Sequence, residues 1–339
     1  MTSSAQIQEP PAAVPDPRGP GDSGKSAPPV SPQRKTFGQK LRRDWGLLLF
    51  ALPGCAILFA FQYLPLAGNV IAFKDYQPFI GILDSEWVGM SNFAVLWTGD
   101  PAFLNALKNT MIITFLQLFF TFPLPIILAL LMNSLVSEKF KRAVQSVLYL
   151  PHFLSWVVVV ALFQHVLGYN GPLDNFMEAI GGPDPHIIGN PAFFKPLLIL
   201  QDIWKNTGWG TILFLAALSG IDQTLYESAA VDGASRFRQM WHVTLPGIRP
   251  IVILILILRI GDILTVGFEQ IVLQQPAVGL EVSEVLDTYV YNYGIVGGQW
   301  GVSAAVGLVK GVIAVILVLA ANKLAHMFGE AGIYQGAGK

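Results

Sequence analysis

The chain has 339 residues, 53% of them hydrophobic and only 13% charged, and its 21 basic and 22 acidic side chains leave a net charge of −1. A soluble domain carries about 25% charge, so this composition points to lipid as the solvent for much of the chain, and the near-neutral balance gives no nucleic-acid footprint. A single cysteine, Cys55, excludes an internal disulfide and leaves a cysteine metal centre unsupported.

Residues 1–36 hold eight prolines and almost no large apolar side chains, which predicts a disordered tail. Within it Gly19, Gly24, Lys25 and Ser26 match the spacing of a nucleotide-binding P-loop. Such a loop needs a strand before it and a helix after it, so that backbone N–H groups converge on phosphate. Pro15 and Pro17 precede this run and Pro28, Pro29 and Pro32 follow it, so no ATP site is expected here. The tail also lacks the apolar stretch of a cleaved signal peptide. The first apolar run, after Lys40, Arg42 and Arg43, is expected to serve as an uncleaved insertion signal.

Residues 46–73, 109–137 and 143–173 carry no charge over 28, 29 and 31 positions. A membrane span needs about 20 apolar residues. Residues 196–219, 248–272 and 301–323 form three further apolar segments interrupted by isolated charges. The expectation is an all-α integral membrane protein. Its domain covers 37–330, with about six spans near 46–68, 109–133, 145–168, 196–219, 248–272 and 301–323. A loop at 220–247 and a tail at 331–339 complete it.

Lysine and arginine set the orientation. The first 43 residues carry seven; Lys139, Lys141 and Arg142 follow the second span; Arg236, Arg238 and Arg249 belong to the stretch 219–249; Lys323 and Lys339 lie at the end. With six alternating spans these fall on one side, while Asp75, Asp84, Glu86, Asp100, Asp174, Glu178, Asp184, Glu281, Glu284 and Asp287 fall on the other. Both termini and the 220–247 loop are therefore expected in the cytoplasm.

That loop has its own pattern. Thr224 stands three residues before Glu227, the spacing of a capping box. Residues 225–232 suit a short helix, Gly233 suits a left-handed turn, Ser235 suits a second cap, and Pro246 is expected to stop the second helix. Phe237, Met240 and Trp241 fall on one face.

Isolated charges within the spans are Lys205, Arg259, Asp262, Glu269 and Lys310. Each costs on the order of 3 kcal/mol unless paired or wetted. Arg259 and Asp262, three apart, can pair; alternatively these groups line a wet path. Lys310 lies between Gly307 and Gly311, and Gly297 and Gly301 form a second small-residue pair. Such pairs allow close helix approach, within the chain or to another subunit. Tyr76, Trp87 and Trp97 read as an interfacial belt, or else as a surface for sugar or protein. His152, His165, His186, His242 and His326 show no metal-ligand spacing, and no nucleophile, carboxylate pair or cofactor motif supports catalysis.

The loop resembles the cytoplasmic signature of permease subunits from binding-protein-dependent ABC importers of the carbohydrate type. That signature is Glu-Ala-Ala, three residues, Gly, nine residues, then Ile-x-Leu-Pro. Glu227, Ser228, Ala229, Gly233, Val243, Leu245 and Pro246 occupy those positions, with Ser228 and Val243 as small departures. Asp232, Gly233 and Ala234 match the Asp-Gly-Ala core of sugar-type members. Residues 63–65, 71–76, 87–89 and 258–261 look like a subgroup importing oligosaccharides or polysaccharide fragments.

The resemblance implies a type I importer permease architecture and a set of partners: two cytoplasmic ATP-binding subunits, a second permease subunit and an extracytoplasmic solute-binding protein. The substrate would be a sugar, ATP would be used by the partner subunit and no cofactor would sit in this chain. Glu227, Ser228, Ala229, Asp232, Gly233, Leu245 and Pro246 would couple to the ATPase; Lys205, Arg259, Asp262 and Lys310 are the candidates for the substrate path. An ion-gradient transporter or a scaffold subunit without a path are the alternatives.

Overall fold

The computed structural model describes residues 45–135, 137–183, 186–327, 329 and 332. The tail 1–36 with its P-loop-like run, and all of 331–339 except Gly332, lie outside them. Two compact units divide the chain, residues 1–62 and 63–339. The first contains helix α1, Trp45–Leu58, apolar on every face and followed by a π turn at Phe59–Tyr63.

In the second unit Lys74–Asp75 and Glu86–Trp87 pair antiparallel, Lys74 opposite Trp87. Long helices follow: α2 Pro101–Asn133, α3 Glu138–Tyr149, α4 Trp156–Leu167, α5 Pro172–Ala179, α6 Pro191–Ser219, α7 Gln223–Val231 and α8 Arg236–Gly261. Four short helices come next, α9 Phe268–Val272, α10 Gln275–Val278, α11 Leu280–Ser283 and α12 Leu286–Tyr289, before α13 Trp300–Met327. By length and composition, five helical stretches among the described residues could cross a membrane: Trp45–Phe73, Pro101–Asn133, Trp156–Ala179, Arg236–Gly261 and Trp300–Met327. The 29 residues of α6 are also long enough, but Lys195, Asp202 and Lys205 lower its hydropathy.

Proline explains where the helices differ from expectation. A proline ring collides with the carbonyl four residues back and offers no N–H. Three π turns sit at that place: Phe59–Tyr63 ahead of Pro65, Gln117–Thr121 ahead of Pro123, and Met240–Thr244 ahead of Pro246. The wider turn moves the offending carbonyl aside, and the helix continues. Pro246 therefore does not stop a helix, as expected from sequence; it lies in the first turn after a bulge inside α8. The helix that covers most of the expected 248–272 segment runs Arg236–Gly261, because α8 begins in the loop and ends at Asp262. Residues 268–272 belong to α9, entered through Gly267 at φ 91°.

The expected third span, 145–168, is two helices. Pro151 breaks the chain into a 3-10 turn at Leu150–Phe153, and Ser155 starts α4 by accepting from the Val158 N–H. The α6 helix is the centre of the unit. Phe194, Leu198 and Ile199 pack with Ile113, Ile271 and Val285 at one end. Phe214 and Leu218 pack with Ala129, Ile221 and Ile248 at the other. Between them Gly208 lies against the Leu148 carbonyl, so closely that a Cβ would overlap it. Ile257 of α8 packs on Ala321 and Ala325 of α13.

Candidate functional site

The loop after α6 is built by four local devices. Gly220 ends α6, and Ile221 plugs the core cluster. Asp222 then caps α7, its carboxylate accepting from the Thr224 N–H at 2.9 Å. That bond holds the Asp222 carboxyl below the usual carboxylate range. The capping residue is thus Asp222 rather than Thr224, because the turn after Gly220 brings Asp222 to the N-cap position. At the other end the Ala234 N–H reaches the Ala229 carbonyl at 2.9 Å and the Gly233 N–H reaches the Ala230 carbonyl at 3.0 Å. This is a Schellman closure, and it needs the left-handed residue that Gly233 supplies at φ 74°. Ser235 accepts from the Arg238 N–H and opens α8, as its sequence position suggests.

These devices set what the loop shows to solvent. Glu227, Ser228, Asp232 and Gly233 are exposed, and Ala229 is half-buried. Ser228 donates to the Leu225 carbonyl, while the Glu227 carboxylate has no hydrogen bond or ion pair among the described residues. Leu245 is half-buried beneath α7 and Pro246 is exposed. Around the exposed polar groups stand Leu225, Val231, Phe237 and Trp241, with Val231 89% exposed. Phe237 and Trp241 meet edge to face at 6.2 Å, so they share the face expected of them. The element offers apolar area and an unpaired carboxylate at one place.

The span charges do not converge. Lys205 is buried at the middle of α6 and donates to the His152 carbonyl at 2.8 Å and to the Leu154 carbonyl. Its ammonium also lies 5.5 Å from the Trp156 ring centre. Lys205 thus supplies the donors that the α3–α4 break lacks, a structural task. Arg259 and Asp262 are both exposed and form no ion pair with each other. Asp262 is the C-cap of α8, turned off the helical path that an i+3 pair requires. Arg259 borders a narrow crevice with Thr114 and Gln117. It lies 23 residues along α8, about 35 Å from its start and near that helix's far end. Lys310 forms an ion pair with Asp287 of α12. A Cβ added at Gly307 or Gly311 would meet nothing within 4 Å beyond its own helix. Gly297 precedes α13, so it does not share a helix with Gly301, which packs against Asn92.

Sequence reasoning missed a polar belt beside Lys205. Asp202 accepts from Asn206 Nδ2 at 2.7 Å, and Asn206 Oδ1 meets His152 Nδ1 at 3.0 Å. The His152 ring stacks on Trp209 at 4.5 Å, with Phe153 edge-on to Trp209. Irregular backbone at membrane depth is tolerated where it is buried in protein or lines a wet cavity. The signals were present: Pro151 inside an uncharged run, and Asp202, Asn206 and Trp209 on one stripe of a helix. A second belt, Gln201, Gln270 and Gln274, is buried and fully interlocked by bonds of 2.8–3.2 Å.

Residues 121–329 match the family described as binding-protein-dependent transport system inner membrane component. The chain is 48% identical over 303 residues to the polygalacturonan/rhamnogalacturonan transport system permease protein YteP of Bacillus subtilis strain 168, covering 89% of this chain and 94% of that one. It is 44% identical to protein LplB of the same organism, covering 87% of this chain and 92% of LplB. A solved bacterial alginate ABC transporter, in complex with an alginate pentasaccharide-bound periplasmic protein, contains a chain that is 36% identical. The two superpose with a TM-score of 0.80 over 88% of this chain and 100% of that one. The π-bulged α8 and the Schellman-closed loop before it thus sit in a known frame, and the chain belongs to the binding-protein-dependent transport system inner membrane component family.

Proposed function

We propose that this chain is a permease subunit of an ATP-binding-cassette importer for an oligosaccharide. The observation that carries this reading is the 220–247 loop. It is an ordered two-helix element that exposes Leu225, Val231, Phe237 and Trp241 around the unpaired Glu227. Exposed apolar area of this kind calls for a covering partner. The partner is a cytoplasmic ATPase, one of two. Glu227 pairs with a basic group there, Ala229 keeps the contact close, and Gly233 fixes the angle between α7 and α8. Asp232 holds the C-cap of α7, and Leu245 and Pro246 seat the element on the core.

A second permease completes the path, and a solute-binding protein delivers sugar from the other side. The alginate transporter in complex with its pentasaccharide-bound periplasmic protein supports delivery of an oligosaccharide by a binding protein, and the name of YteP supports a polysaccharide-derived substrate. Within the path, Asn206 and His152 offer polar edges to hydroxyls and the exposed Trp209 offers an aromatic surface, with Lys205, Arg259, Asp262 and Lys310 as the charged groups along it. Both termini and the loop lie in the cytoplasm, as the lysines and arginines require. ATP closes the ATPases, and their differential grip on the loop shifts the helices between inward- and outward-facing populations.

The test is reconstitution of the full complex in proteoliposomes with internal ATP. Uptake of an oligosaccharide should require ATP and the binding protein. Uptake that survives ATP depletion but collapses with an ionophore would reject the reading in favour of an ion-driven carrier.

A further inference from the structure

The α7 helix is tied to the core by one side chain. Among residues 223–231 only Tyr226 joins the cluster formed by Ile221, Ile248 and their neighbours. Its hydroxyl meets Thr244 Oγ1 at 3.0 Å. Thr244 is buried and is the last residue of the π turn Met240–Thr244. It also reaches the Gln239 carbonyl at 3.5 Å, and Gln239 Nε2 donates to the Ala234 carbonyl at 3.1 Å. On the approach to α7, Ile221 presses on Gly247, where a Cβ would stand 2.8 Å from the Ile221 Cδ1 atom. The hydrogen bonds and the Gly247 contact run to α8, while the apolar cluster that Tyr226 and Ile221 join also holds Phe214 and Leu218 of α6. Toward α6 the connection is Gly220, which is the C-cap where that helix ends.

We propose that α7 and α8 move as one body, locked by the Tyr226–Thr244 hydrogen bond and pivoting at Gly220, so that α8 rather than α6 follows the ATPase. The inference rests on the importer reading and adds the direction of the mechanical linkage. The chemistry follows from the proline. Pro246 demands a widened turn, the widened turn rotates Thr244 inward, and the rotated hydroxyl meets Tyr226. Tyr226 and Thr244 are positioning residues, since neither touches sugar or nucleotide. A pull on α7 would otherwise be spent on bending the loop. The lock hands it to the start of a 26-residue helix whose other end carries Arg259.

The experiment uses the reconstituted complex with paired spin labels. One pair joins Ser228 to Leu258 on α8 and the other joins Ser228 to Leu200 on α6; all three sites are exposed. On trapping with ATP and vanadate, the 228–258 distance should stay fixed and the 228–200 distance should change. In parallel, Tyr226→Phe should keep ATP hydrolysis within about twofold, lower the sugar imported per ATP by about fivefold, and broaden the 228–258 distances. Thr244→Val should behave likewise, and Thr244→Ser, which keeps the hydroxyl, should restore the stoichiometry. The proposal fails if the 228–258 distance changes on trapping, if neither distance changes, or if Tyr226→Phe imports sugar at the parental ratio. Uptake by the parent complex that needs no ATP would reject the importer reading itself, a different result from failure of the lock alone.

Discussion

Single residues carry two distinct costs in this chain, and each gives a measurable consequence. Gly233 is left-handed at φ 74° with nothing within 4 Å of a would-be Cβ, so its constraint is backbone strain and not crowding. A residue with a side chain costs about 1–2 kcal/mol there. Gly233→Leu should therefore insert and fold but reset the angle between α7 and α8. Sugar uptake should fall at least about tenfold while ATP hydrolysis persists, and Gly233→Asn should be milder, because asparagine tolerates this region. Parental uptake by the leucine variant would remove Gly233 from the coupling role.

Glu284 carries the second cost. It is 2% exposed, outside the spanning helices, with one carboxylate oxygen accepting from Asn292 at 3.3 Å. Burial, with Asp100 adding to it, pushes this carboxyl up from its ordinary range. The folded chain then binds more protons than the unfolded one between the ordinary and the raised value, so stability falls as pH rises through that window. Glu284→Gln keeps the acceptor and removes the charge. Its melting temperature should exceed the parent's near neutral pH, and the gain should vanish at about pH 4, the ordinary carboxylate value. An equal gain at both pH values would assign the effect to packing.

At the scale of helices, contact depth decides which glycines matter. The Gly208 Cα faces the Leu148 carbonyl, a backbone atom that cannot swing away. Overpacking costs typically 1–3 kcal/mol, and here the displaced piece is α3 together with the break that Lys205 satisfies. Gly208→Val should lower the yield of folded protein and its melting temperature by several degrees, while Gly307→Val, in open space, should leave both near parental values in the isolated chain. Periodicity and charge made the long helices legible, because runs such as 109–137 admit no other reading. The loop was legible as well, since Gly233, Ser235 and the apolar face of Phe237 and Trp241 follow local rules. What escaped was the effect of proline in a packed environment. Pro246 reads as a stop in an isolated strip of sequence; a π turn, invisible to spacing, lets α8 run through it. Pro151 read as part of a span because no charge marked the break, and the carbonyls it frees find Lys205 more than 50 residues away in sequence. Lys205 stood out by its charge and satisfies those carbonyls, whereas Asn206 and Trp209 beside it carried no charge to draw attention.

For the molecule as a whole, the distribution of charge and the direction of α8 make one joint prediction. The basic residues Arg236 and Arg238 open α8, with Arg249 halfway along it, and acidic Glu281, Glu284 and Asp287 follow its far end. Each basic group near an anionic cytoplasmic leaflet gains about 1 kcal/mol, so the loop should face the cytoplasm and Arg259 should lie toward the outer surface. Replacing Cys55 by serine clears the chain of thiols, after which single cysteines can be placed at Glu227 and at Asp174. In right-side-out vesicles a membrane-impermeant maleimide should label the Asp174→Cys chain and spare the Glu227→Cys chain; in inverted vesicles the pattern should reverse. Adding purified ATPase subunits to inverted vesicles should then protect the cysteine at 227, because α7 would be covered, and should leave a cysteine at exposed Leu200 reactive to a lipid-soluble reagent. Labelling of position 227 from the outer face would put the loop beyond reach of any cytoplasmic motor, and would overturn both the orientation and the coupling that depends on it.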